Sequence, residues 1–242
     1  MVVHATWDDV PHLSPAQKDE MWASYPEHER EARAKGVPML GSGRVFPVAE
    51  ADIKTDPIAI PRHWARINGI DFGIDHPFAA AGLAHDRDAD CIYVTHALRI
   101  KGQTPPVHAS AIKAWGDWVP CAWPHDGLIR DKGSGEQLAG LYRSEGLAML
   151  EERATHEEGG HGVEAGIMDM LDRMRTGRLK VFSTLGEWFE EFRMYHRKDG
   201  LIVKERDDLM SATRYGVMMM RFARVKQSTP MRLAPRLGTG YR

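Results

Sequence analysis

Arg66-Ile67-Asn68-Gly69-Ile70-Asp71-Phe72-Gly73 is the stretch on which the fold turns. Ile70 and Phe72 alternate with Gly69, Asp71 and Gly73, the period of two that makes a strand, and this strand carries one acid on a glycine-lined face. Ala79–Ala84 reads as a second strand and Asp86-Arg87-Asp88-Ala89-Asp90 as a polar turn. Ile92, Val94, His96, Leu98 and Ile100 then alternate with Tyr93, Thr95, Ala97 and Arg99 in a third strand. Connections this short join antiparallel neighbours, so residues 66–100 are expected to form a three-stranded meander.

Downstream, helices and single strands alternate. Val107, Ala111, Trp115 and Trp118 mark a helical stripe, and Val119–Trp123 is an apolar strand ending at Pro124-His125-Asp126. Ser134-Gly135-Glu136-Gln137 has the form of a capping box, opening a helix that ends near Gly146, and Gly146–Leu150 suits a fifth strand. Ile167, Leu171 and Met174 mark a further helix, and Leu185, Trp188, Phe189, Phe192 and Tyr195 a very regular one. A long last helix is expected from about Asp207 to Arg224. The plan is α/β, with a mixed sheet flanked by helices and no internal repeat.

Upstream, Ser14-Pro15-Ala16-Gln17 predicts a short helix with a capping box. A second helix is expected from Pro26 to Lys35, stopped by Gly36. Residues 36–63 carry Gly, Pro and isolated hydrophobes, which suits a connector on the domain surface. The expected division is an arm and linker over 1–62, one domain over 63–224 and a basic, mobile tail over 225–242.

The composition is that of a soluble globular chain: 242 residues, 43% hydrophobic and 27% charged. No apolar run approaches a membrane span, and Met1-Val2-Val3-His4 has no signal pattern, so a cytoplasmic protein is expected. Cys91 and Cys121 fit no metal or redox spacing and read as buried thiols. The net charge of −2 is unusual for a free-standing nucleic-acid binder, although a module delivered to nucleic acid by a larger machine needs no basic balance of its own.

Three carboxylates stand at element boundaries: Asp71 on the first strand, Asp126 just beyond the fourth, and Asp208 in the first turn of the last helix. They are 55 and 82 residues apart, so only tertiary folding can gather them. The first and fourth strands can lie side by side in a mixed sheet, and a helix crossing them can bring Asp208 to the same rim. Clustered carboxylates repel unless a cation compensates. Hard oxygen ligands suit Mg²⁺ or Mn²⁺, and two such ions can activate a water and stabilise a leaving oxygen in phosphodiester hydrolysis. Taken singly, each acid also has a structural role open to it, as a turn residue or, for Asp207 and Asp208, as a helix N-cap.

At these residues the chain resembles the nuclease domain of tailed-phage terminase large subunits. The resemblance is carried by Ile70-Asp71-Phe72-Gly73 with His76-Pro77 and Ala79, and by Trp123-Pro124-His125-Asp126-Gly127. It continues through Lys204-Glu205-Arg206-Asp207-Asp208-Leu209-Met210 and Ala212-Thr213-Arg214-Tyr215. Ala5-Thr6-Trp7-Asp8-Asp9-Val10-Pro11-His12 and Gly41-Ser42-Gly43-Arg44-Val45 resemble that family's junction between motor and nuclease. The resemblance implies a ribonuclease H-like fold that cuts double-stranded phage DNA during packaging in the bacterial host. It assigns metal binding to Asp71, Asp126 and Asp208, with Asp207 as a secondary contributor; the hypothesis has Asp71 bridging two ions. His125 and Lys204 become candidates for touching the scissile phosphate. Ser211 stands where the family often has a further acid. Family members also carry a packaging ATPase and work with a portal and a small terminase subunit. This sequence has no G-x-x-x-x-G-K-[ST] loop, so no ATP hydrolysis is expected from it.

Other signals are weaker. His156-Glu157-Glu158-Gly159-Gly160-His161 resembles a zinc-protease motif, but its histidines are five apart and its glycines break the helix that chemistry needs. Residues 151–162 read instead as a flexible polar loop. Arg173, Arg175, Arg178 and Lys180, like Arg193, Arg197 and Lys198, suit either a solvated helix end or phosphate contact. Rival readings are a phosphate loop of an actin-like phosphotransferase at Gly69–Gly73, a non-catalytic DNA clamp or portal-docking module, and another ribonuclease H-like nuclease such as a junction resolvase.

Overall fold

A computed structural model describes residues 6–10, 13–25, 30, 33–36, 43–73, 77–130 and 135–227. The strands β1 (Lys54–Thr55), β2 (Ala65–Asp71), β3 (Phe78–Asp86), β4 (Cys91–Ile100), β5 (Pro120–Ala122), β6 (Ala148–Met149) and β7 (Leu179–Phe182) form one sheet, in the order β1-β7-β4-β3-β2-β5-β6. The expected meander is present. β2, β3 and β4 are antiparallel neighbours, with Ile70 opposite Ala80 and Ala80 opposite Leu98. β5 lies parallel beside β2, β6 beside β5, and β7 beside β4. Parallel neighbours need a crossover. The helix α3 (Pro105–Lys113) lies on the connection that carries the chain from β4 to β5, beside β2, and α4 (Leu138–Ser144) on the crossover between β5 and β6; α1 (Pro15–Ser24) and α2 (Glu50–Ile53) precede the meander.

The sheet is covered on both sides. α5 (Val163–Arg175), α6 (Gly186–Met194) and α7 (Asp208–Met218) lie on one face, with α7 on β2 and β3 and α5 and α6 behind it. On the other face Phe78 stacks on His108 of α3 and on Tyr142 of α4, with ring centroids 4.0 and 5.4 Å apart. Cys91 and Cys121 are buried free thiols, and burial pushes Cys121 up to about 12.

The N-terminal helix is capped as its sequence predicts. The Ser14 hydroxyl accepts from the Gln17 amide, and the Gln17 side chain accepts from the Ser14 amide. Most of the second expected helix, Pro26–Lys35, lies outside the described residues, although Gly36 has the left-handed φ of 62°.

Elsewhere the structure corrects the expectations. Residues 36–63 are not merely a surface connector: Val45, Phe46, Val48 and Ile53 are buried in the main core, and Phe46 stacks on Phe192. Their spacing follows neither strand nor helix period, so the burial leaves no pattern to read. Leu179–Phe182 is a strand, not the end of a basic helix, and its Leu179 and Val181 are fully buried.

The last helix stops at Met218 rather than Arg224. The chain bends through a 3-10 turn, Met220–Phe222, so that Arg224 can exchange two backbone hydrogen bonds with Arg66. α4 starts at Leu138 with Gln137 at its N-cap and no side-chain cap; Ser134 of the expected capping box lies outside the described residues. Residues 151–162 carry neither helix nor strand, as expected of a polar loop, and backbone bonds from His156 to Gly160 and from Gly159 to His156 close a turn within them. A hairpin of β8 (Arg197–Lys198) and β9 (Leu201–Ile202), absent from the sequence reading, turns on Asp199 and Gly200 at φ 52° and 81°. Residues 228–242 of the expected basic tail lie outside the described residues.

Candidate active site

The site is set by where α7 crosses β2. A methyl group on Gly69 would stand 1.9 Å from the Ala212 carbonyl oxygen and 2.7 Å from the Gly216 nitrogen, so strand and helix meet backbone to backbone. Gly69 is consumed by this crossing, which removes the phosphate-loop reading of Gly69–Gly73. Asp71 lies two residues along β2 on the same face. It therefore points towards the start of α7, where Asp207 and Asp208 stand. β5 runs parallel to β2 with Ala122 opposite Gly69, and Asp126 follows in a 3-10 turn, His125–Leu128. That turn is seated on aromatic rings: a methyl group on Gly127 would meet Trp123 at 2.4 Å and Phe72 at 2.9 Å.

The four acids share one electrostatic field. The Asp71 carboxyl is pushed up to about 7, first by burial and then by the charges of Asp207, Asp208 and Asp126, with the Arg214 guanidinium opposing them. Asp126, Asp207 and Asp208 thus all lie within electrostatic reach of Asp71, with Asp126 acting most weakly. Asp207 acts on Asp71 more strongly than Asp208 does.

Neither aspartate of the pair is used as a helix cap. Asp207 occupies the N-cap position of α7 without a side-chain cap bond. The amides of Leu209 and Met210 instead donate to Glu191 Oε2 of α6, at 2.7 and 3.4 Å. A cap supplied from another helix relieves both aspartates of the structural role open to them in the sequence. Glu191 is itself buried, and burial above all, helped by Asp208, pushes its carboxyl up to about 7 against the pull of those amides and of Arg99. Arg99 Nε lies 2.9 Å from Asp208 Oδ2 and 3.0 Å from Glu191 Oε1. Arg214 is buried on α7, its stem packed where Gly166 of α5 has no side chain.

Among the other candidates, His125 is exposed and stacks with His161 at 6.3 Å, and Lys204 is exposed between β9 and α7. Ser211 is buried in α7. Most of the basic side chains are paired within the protein: Arg173 with Asp169 and Asp90, Arg178 with Asp90 and Asp172, Arg193 with Glu50, and Arg197 with Glu164. Lys180 donates to the Asp52 carbonyl. Arg99, Glu191 and Arg214 were not singled out from the sequence as site residues.

A mixed sheet built from an antiparallel meander and parallel flanking strands, with an acid at the end of β2 where the meander meets the parallel strand β5, has the plan of a ribonuclease H-like domain. The terminase RNaseH-like domain profile matches residues 68–220, and the N-terminal profile of the T4-type terminase large subunit matches residues 1–53. The chain belongs to the terminase RNaseH-like domain family. It is 48% identical over 225 residues to the terminase large subunit of Salmonella phage P22, which covers 93% of this chain and 45% of that protein. It spans about half the length of the curated relatives it matches. The solved structure of the P22 large terminase nuclease domain superposes with a TM-score of 0.71 at 46% identity, covering 76% of this chain and 95% of that one. The fold is also shared with the large terminase nuclease domain of bacteriophage SPP1, solved with bound Mn, at a TM-score of 0.52 and 17% identity. That match covers 69% of this chain and 94% of the other.

Proposed function

We propose that this chain is an endonuclease that cleaves double-stranded DNA with Mg²⁺ or Mn²⁺ during phage genome packaging. The observation that carries the proposal is a buried Asp71 at the end of β2 within electrostatic reach of Asp207, Asp208 and Asp126, its carboxyl pushed up to about 7 by burial first and by those charges second. The chain's family membership and its likeness to the P22 nuclease domain support the same reading.

The donor chemistry suits divalent ions. The donors are oxygens only, and their surplus negative charge is what a cation neutralises. Among the described residues, no three acid, histidine or cysteine side chains stand close enough to hold a metal ion by themselves. Mg²⁺ and Mn²⁺ need few protein carboxylates, because they keep waters and take phosphate oxygens as ligands. Asp71, Asp126 and Asp208 would hold the ions, with Asp207 in support. When bound, such ions lower the pKa of an attacking water and stabilise the leaving oxygen.

The protein contributes rigidity. α7 is buried along nearly its whole length, so its acids are pre-positioned before DNA arrives. His125, exposed beside Asp126, and Lys204, exposed four residues before Asp208, would meet backbone phosphates in this reading. In a whole large subunit this domain would act behind a packaging ATPase, with the portal and the small subunit as partners, in the cytoplasm of the infected host. The match of residues 1–53 to the N-terminal profile supports that junction.

The test is conversion of supercoiled plasmid by this chain in Mn²⁺, with EDTA as control. Asp126→Asn is expected to slow nicking by at least about 100-fold, the scale of losing one charge-stabilising group. No cleavage by the unsubstituted chain would favour a non-catalytic DNA clamp, and a preference for branched over linear duplex would favour a junction resolvase.

A further inference from the structure

We propose that Arg99 and Glu191 form an exchange pair that controls how readily Asp208 is released to a divalent cation. The inference rests on the metal-dependent reading above and adds two positioning residues to it.

Arg99 reaches from β4 between two carboxylates that have different anchors. Its Nε donates to Asp208 Oδ2 at 2.9 Å. Glu191 Oε1 lies almost as close, at 3.0 Å, but is not aligned as an acceptor. Glu191 cannot follow Arg99 elsewhere, because its other oxygen is held by the Leu209 and Met210 amides at the start of α7. Its side chain is 4% exposed and that of Arg99 29%, so the guanidinium is the member with room to shift.

Two consequences follow from the charges. While Arg99 bonds to Asp208, it competes with any cation for that carboxylate. When Asp208 turns to a cation, Arg99 keeps the fixed Glu191 carboxyl at 3.0 Å, and its partly buried guanidinium is not left without a partner, the costly outcome in such surroundings. Arg99 therefore weakens cation binding, and Glu191 strengthens it by giving Arg99 another seat. A pair serving only to hold the fold would not separate the two residues in this way.

The experiment is a Mn²⁺ titration followed by the EPR signal of the free aqua ion, with thermal melting in parallel. It compares the unsubstituted chain with Arg99→Gln, Arg99→Lys, Glu191→Gln and Asp71→Asn. Glu191→Gln can still accept from the Leu209 amide but turns its NH₂ towards Arg99, leaving Asp208 as the better partner. It is expected to weaken Mn²⁺ binding about tenfold, the size of one charge-assisted contact, whereas Arg99→Gln tightens binding by about threefold or more. Arg99→Lys should fall between Arg99→Gln and the parent. In an Asp208→Asn background, Arg99→Gln should change the affinity no further.

Shifts in the same direction, or none, overturn the exchange pair while the parent still binds Mn²⁺. If Glu191→Gln does not fold, the Arg99 series decides, and an Arg99→Gln protein that binds no tighter than the parent overturns the proposal. A parent that binds no Mn²⁺, or an Asp71→Asn protein that binds it as well as the parent, overturns the metal-dependent reading itself.

Discussion

Asp71→Asn is expected to abolish plasmid cleavage, by at least about 1000-fold, and in EDTA at pH 8 to melt at a higher temperature than the parent. The second half of this result separates a functional acid from a structural one. The Asp71 carboxyl is raised from 3.8 to about 7 in the folded chain, so between those values folding is accompanied by proton uptake. A raised carboxyl gives stability that is complete below its unfolded value and is lost as the pH climbs towards its folded value. The parent therefore weakens between about pH 4 and pH 7, and asparagine, which does not titrate, does not.

A shift of this size, discounted for partial solvent access, makes the asparagine variant more stable by about 2 kcal/mol at pH 8 and by nearly nothing close to pH 4. Glu191, also raised to about 7, adds the same slope to both proteins and cancels from the difference. Paired melts at the two pH values, together with the plasmid assay, check the result. An Asp71→Asn protein that still nicks DNA, or that is less stable than the parent at pH 8, would show that Asp71 supports the fold rather than the chemistry.

How much of this was legible in the sequence depends on whether the signal was local. The meander was, because Ile92 to Ile100 alternate without a break and the turn at Asp86–Asp90 is short. The three separated acids could be picked out as a set, since each ends or begins an element, and β5, which leads to Asp126, runs parallel beside β2, which ends at Asp71. Val45, Phe46, Val48 and Ile53 were not, since they fill gaps in a core built by distant elements and owe nothing to their neighbours in sequence. β7 was hidden for a related reason: four residues with a lysine among them are too few to show a period, and the strand exists because β4 and β1 flank it.

Glu191 did leave a trace. It lies three residues after Trp188 and four before Tyr195, inside the apolar stripe of α6, where an acid has no place without a partner. That partner is the N-terminus of another helix and could not be read from α6 alone. Arg99 occupied an alternating position of β4 and carried no comparable mark.

Gly69→Ala is expected to destabilise the protein by about 3 kcal/mol or more, the upper range for forcing atoms into a filled interior, and to blunt cleavage in whatever fraction still folds. The new methyl group would lie 1.9 Å from the Ala212 carbonyl oxygen. That obstacle is backbone inside a buried helix, so no rotamer change can relieve it, and α7 must lift from β2 as a body. Lifting α7 carries Asp207 and Asp208 away from Asp71, which ties the loss of stability to a loss of activity.

Two controls isolate the cause. Gly216→Ala sits at the same crossing but meets the Leu83 side-chain end at 2.3 Å, which can rotate away, so its cost should be clearly smaller. Gly140→Ala, in α4 with open space around it, should stabilise by about 0.5–1 kcal/mol through helix propensity alone. Urea unfolding of the three variants orders them. A Gly69→Ala protein as stable as the parent would mean that helix and strand have slack between them, and that the acids are gathered by something other than this contact.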